Sequence, residues 1–84
     1  MTYKLKILNK LMLKRVINPV GCWNWIGPRQ LNGYGLSSYQ GKTTTVARIV
    51  MHICNDFDLD SPKEISHKCG NPACFNPTHL EVKE

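Results

Sequence analysis

No aspartate or glutamate occurs among the first 55 residues of this 84-residue chain. That stretch holds eight lysines and arginines, whereas residues 56–84 hold all six acids and only three lysines, so the net charge of +5 divides into +8 and −3. Lysine and arginine free of acidic neighbours displace counterions from phosphates, and the asymmetry suits a polyanion lying against the N-terminal two-thirds. A solvated basic face that keeps a small protein dispersed is the other use of the same charges. Long apolar runs are missing too. Lysines break "MTYKLKILNKLMLKRV" every few residues, which argues against a signal peptide. No segment reaches the roughly 20 apolar residues of a membrane span, so a cytoplasmic protein is expected.

The chain also lacks repeats, low-complexity tracts and linkers, and one domain over residues 1–84 is expected. "GKTT" resembles the end of a phosphate-binding loop, but Leu36 stands where the first glycine of that motif belongs, which excludes it. A domain this small buries too little apolar surface to hold without a staple. Its four cysteines, Cys22, Cys54, Cys69 and Cys74, make two disulfides conceivable. In a reducing compartment, however, cysteines clustered with histidine favour zinc.

Periodicity places a basic amphipathic helix over residues 1–18, with Leu5, Leu8, Leu11 and Met12 on one face. It serves as a lid on the core or as a basic arm on DNA. Antiparallel strands follow over 22–46, beginning at "CWNWI", with Asn32-Gly33 the strongest hairpin signal. "RIVMHICND" predicts a helix over about 47–55, and "EISH" a short strand. The expected class is α+β: a zinc-stapled domain with an N-terminal helix, a short antiparallel sheet and a C-terminal finger over 64–82.

Cys69, Cys74 and His79 stand at C-x4-C-x4-H, with Gly70, Asn71, Pro72 and Pro77 bending the backbone between them. Zinc takes four such ligands in a tetrahedron. Cys22, at the head of a strand among aromatics, is the best fourth ligand, with His52 and Cys54 as competitors. Cys54 suits the core, as free cysteines often do, and His52 suits a surface or satisfied position. His67, two residues before Cys69, lies outside this set, where a neutral imidazole is placed to take a proton from water beside a phosphodiester.

"ISHKCGNPACFNPTHL" resembles the H-x-C-x4-C-x-N-P-x-H-L signature of zinc-stabilised HNH endonucleases, the ββα-metal group that includes the His-Cys box enzymes and many small phage nucleases. "CWNWIG", "GYG", "GK" and "ARIV" follow that family's order, so the likeness covers residues 22–82. The resemblance implies that Cys22, Cys69, Cys74 and His79 hold a structural zinc, that His67 is the general base, and that Asn76 braces the loop. It also implies DNA against the strands of residues 33–45, with Arg29, Lys42 and Arg48 on phosphates, and Mg²⁺ or Mn²⁺ at the reacting centre.

Two departures bear on that expectation. Val46-Ala47-Arg48 stands where the family often has Ala-His-Arg, and the residues to Glu84 do not reach the helix whose asparagine holds the family's catalytic ion. Ser66, Glu81 and Glu84 are the substitute ligands to consider. The readings to compare are therefore a divalent-metal DNA endonuclease, acting alone or as a homodimer; a catalytically reduced zinc module that binds DNA or a host or phage protein; and a structural zinc subunit of a larger assembly.

Overall fold

The computed structural model describes residues 2–83. Its first helix, α1 (Thr2–Met12), puts Ile7, Leu8 and Leu11 against the core and leaves Leu5 exposed. The helix is shorter than its periodicity predicts. After a turn closed by the Lys14 N–H on the Leu11 carbonyl, the chain becomes a strand, β1 (Arg15–Ile17). The β-branched Val16 and Ile17 favour the extended state. Pairing with β2 (Trp23–Trp25), from Arg15 opposite Trp25 to Ile17 opposite Trp23, satisfies their backbone. The Arg15 guanidinium lies 4.4 Å over the Trp23 ring.

β3 (Leu36–Tyr39) and β4 (Lys42–Thr45) form a hairpin whose two turn residues, Gln40 and Gly41, both have positive φ, the geometry that matches strand twist. The Thr45 hydroxyl then accepts the Arg48 N–H and caps α2 (Val46–Asn55). An acidic loop leads to β5 (Glu64–His67), and after a 3₁₀ turn at Pro77–His79 the chain returns as β6 (Leu80–Lys83), antiparallel to β5. The class is α+β, but the strands form three separate two-stranded sheets instead of one.

α2 lies between two apolar clusters and holds them together. Val46, Ile49 and Val50 pack with Leu11, Trp25, Tyr39 and Phe75, while Ala47 and Met51 pack with Phe57 and Leu80. Cys54, expected inside, is exposed in the last turn of this helix, beyond the stripe that its apolar residues bury. The radius of gyration, 11.7 Å, is what a close-packed chain of this length should have, about 12 Å.

Residues 73–75 add to β2 from the other side. The Trp25 N–H bonds the Ala73 carbonyl and the Phe75 N–H bonds the Trp23 carbonyl, each at 2.9 Å. This docking brings the C-terminal finger beside Cys22.

Candidate metal centre and adjoining histidine cleft

Cys22 is delivered by the turn between β1 and β2. The Asn18 carboxamide oxygen accepts the N–H groups of Val20 and Cys22, at 3.1 and 2.9 Å, which fixes the backbone just before β2. On the finger, the Asn71 carboxamide accepts the Ala73 N–H and donates to Asn24, while the Cys74 N–H reaches the Asn71 carbonyl. Asn76 caps the 3₁₀ turn through the Thr78 N–H and hydroxyl, and its amide donates to the Gly21 carbonyl at 2.8 Å. That side chain thus ties the turn carrying His79 to the turn carrying Cys22.

The result is that Cys22 Sγ, Cys69 Sγ, Cys74 Sγ and a His79 ring nitrogen all lie within 4.8 Å of one another. The Cys22 and Cys74 sulfurs each stand 3.5 Å from His79 Nδ1. A tetrahedral zinc with ordinary Zn–S and Zn–N bonds sets a sulfur-to-nitrogen edge of about 3.5 Å, which these separations match. The four cysteines are free thiols, and this is the single converging group of three or more potential ligands among the described residues. Cys22 and Cys74 are buried and Cys69 is exposed.

The sulfurs disturb one another's ionisation. Burial pushes the Cys74 thiol up to about 12, with the neighbouring Cys22 and Cys69 sulfurs adding to the effect against backbone hydrogen bonds at Asn76 and Trp23. Burial also works to raise Cys69, but hydrogen bonds at the backbone of Asn71, with the Cys22 and Cys74 thiols and with its own backbone, outweigh it and hold that thiol below its ordinary value. Three sulfurs this close cannot all carry charge alone, and a bound divalent cation reverses that preference.

Beside this cluster runs a cleft of about 270 Å³ between the hairpin tip of residues 30–35 and β5, lined by Tyr34, Glu64, His67 and Pro72 among others. A more polar recess of about 420 Å³ adjoins it along the same strand and reaches Ser66 and Lys83. His67 lines both, and its ring stacks on Tyr34. Its Nε2 is sealed from solvent with no hydrogen bond. Burial pushes the imidazole below its ordinary value, and the Cys74 carbonyl facing it opposes the shift. Burial therefore favours the neutral form of this ring.

Comparison with known proteins adds one relative. The chain is similar to Protein 2.8 of Escherichia phage T7. The two are 32% identical over 78 residues, which cover 89% of this chain and 52% of that protein. The chain thus spans about half the length of the curated relative it matches. No family model matches it, and no solved structure matches it.

The remaining expected site residues are scattered in role. Arg29 and Lys42 are exposed, with Lys42 3.8 Å from Asp60 in a solvated pair. Arg48 does not project to a ligand: its guanidinium donates to the carbonyls of Lys63, Leu59 and Ser61 at 2.7 to 2.9 Å and lies over Phe57. His52 is satisfied by the Phe57 carbonyl at 2.8 Å and sits apart from the cluster, as does Cys54. Ser66 pairs with Glu81 across the β5–β6 ladder while His67 pairs with Leu80. Ser66 shares the more polar recess with His67, while Glu81 is not among the lining of either recess. Glu84 lies outside the described residues.

Tyr34 was not singled out from the sequence as a site residue. The only signal for it was its place between two glycines in "GYG". Asn18 and Asn71, which shape the two halves of the metal centre, carry the ordinary mark of turn residues.

Proposed function

We propose that this chain is the zinc-stapled, base-bearing part of an HNH-type DNA endonuclease. The observation that carries the proposal is His67: an imidazole lining a cleft, with one nitrogen sealed, two residues from a ligand of the metal centre. Zinc bound by Cys22, Cys69, Cys74 and His79 would supply no redox or acid chemistry, only a rigid join between β2 and the end of β5. His67 Nδ1 then takes the proton from a water set against a phosphodiester. The exposed Arg29 and Lys42 hold flanking phosphates, contacts that position DNA without reading its sequence. Resemblance to a phage protein agrees with the small phage nucleases that the "HKC…NPTHL" signature resembles.

Phosphodiester hydrolysis in such enzymes draws on a divalent cation that stabilises charge on the phosphate and leaving oxygen. Among the described residues no second group of three or more potential ligands converges, so they do not fit a second site of that kind beside His67. The test is nicking of supercoiled plasmid with Mg²⁺ or Mn²⁺, with His67→Ala alongside. Loss of the base should lower the rate by about 10² to 10⁴-fold; no nicking by the parent protein, or equal nicking by both, sinks the proposal.

That single ligand cluster among the described residues favours a second reading, a catalytically reduced zinc module that binds DNA or a protein partner. Under it, DNA affinity falls steeply with salt while no cleavage occurs. A flat salt response together with tight binding of a host or phage protein selects the partner instead. Among the described residues no helix is long and apolar enough to cross a membrane.

A further inference from the structure

We infer that Tyr34 is a positioning residue that fixes the plane in which His67 presents its imidazole to the cleft. The inference rests on the nuclease reading of that cleft. The two ring centroids lie 5.2 Å apart with planes only 16° from parallel, an offset stack between groups 33 residues apart in the chain. Left to itself, the terminal torsion of a histidine is broad and nearly two-fold. A quarter-turn out of the stacked plane would swing the ring nitrogens away from the cleft, ending any role as base. β5 sets where the His67 side chain starts, but it does not set that last torsion.

Tyr34 is built to set it. Its carbonyl accepts the Gln30 N–H at 2.8 Å, and its own N–H reaches the Asn32 carboxamide at 3.3 Å. Gly33, at φ +92°, brings the backbone so close to the Pro72 ring that a Cβ would stand 3.0 Å from it. Gly35 lies against the Trp25 indole, where a Cβ would come within 2.6 Å. The tyrosine therefore stands on a tip keyed to the metal loop on one side and to the core on the other. Core packing does not account for the ring itself: Tyr34 is half-buried and belongs to neither apolar cluster.

The test uses the full zinc-loaded chain and two variants: Tyr34→Phe keeps the ring, and Tyr34→Leu keeps bulk without it. By NMR, the His67 ring protons of the parent and of Tyr34→Phe should be shifted upfield by the stacked ring. Tyr34→Leu should move them downfield and leave the His79 signals in place. In plasmid nicking, Tyr34→Leu should lower kcat by about 10 to 100-fold with KM unchanged, the scale of a misplaced catalytic group, and Tyr34→Phe should restore it. His67 signals that ignore the leucine variant, or a kcat that does, overturn the inference. So does a leucine variant that unfolds along with Tyr34→Met, because the ring would then be structural. If the stack is present but the parent does not nick, the nuclease reading falls and the positioning role falls with it, whereas a parent that nicks without the stack loses only Tyr34.

Discussion

Arg48 shows how a charged side chain is assigned its work by what surrounds it. Residues 58–63 form no regular structure, so their carbonyls need partners from elsewhere, and one planar guanidinium serves three of them. Hydrogen bonds from a charged donor contribute more than neutral ones, though partial exposure weakens these. Arg48→Gln should cost about 2 kcal/mol by chemical denaturation and speed protease cleavage of the loop. It should leave the salt slope of DNA binding unchanged, whereas Arg29→Gln and Lys42→Gln should each lower that slope by about one. Equal slopes for all three variants would return Arg48 to the phosphate-binding set. Sequence alone gave no sign of this role, because the carbonyls that claim Arg48 lie 11 to 15 residues away and carry no side-chain pattern.

At the scale of elements, the apolar spacing in α2 and the alternation through β2, β3 and β4 were readable, since each reflects a local period. β1 was not. Leu13 and Val16 continue the helical spacing of α1, and only pairing with β2, eight residues on, makes Arg15–Ile17 extended. Cys54 was misplaced for a similar reason, because helical spacing names a stripe without saying where the neighbouring elements stop covering it. The hairpin tip shows the opposite dependence, on one missing side chain. Trp25 lies close against Gly35 and donates its indole N–H to the Pro28 carbonyl at 2.9 Å. Gly35→Ala should therefore destabilise by about 1 to 3 kcal/mol, as overpacking does, and reduce the Tyr34–His67 stack as seen by NMR. A fully stable Gly35→Ala variant would show that the indole can yield.

For the whole molecule, the metal centre and the core are one structure. Phe75 is 1% exposed, packs edge-on against both Trp23 and Trp25, and follows Cys74 directly. Phe75→Ala should cost about 3 to 5 kcal/mol, enough to unfold a domain of this size at moderate temperature, with the midpoint of thermal denaturation as the measure. The metal should matter as much. One zinc per chain by elemental analysis is expected, with cooperative loss of the fold on chelation or in Cys74→Ala. A Cys74→Ala chain that retains both its fold and its zinc would remove that residue from the ligand set. The residues of this cluster were legible because C-x4-C-x4-H is a contiguous pattern and Cys22 heads an aromatic strand, but the meeting of β2 with the finger that brings Cys22 to them was not. His67 could be located by its spacing from Cys69. The direction of its ring could not, because the group that sets it stands in another hairpin.

The order of the ligands along the polypeptide has a consequence for synthesis. Cys22 emerges 47 residues before Cys69, with Cys74 and His79 close behind it. A ribosome has therefore released β2 well before a second ligand exists. Capture of the ion has to wait for the finger, and until then β2 lacks the segment that completes its edge.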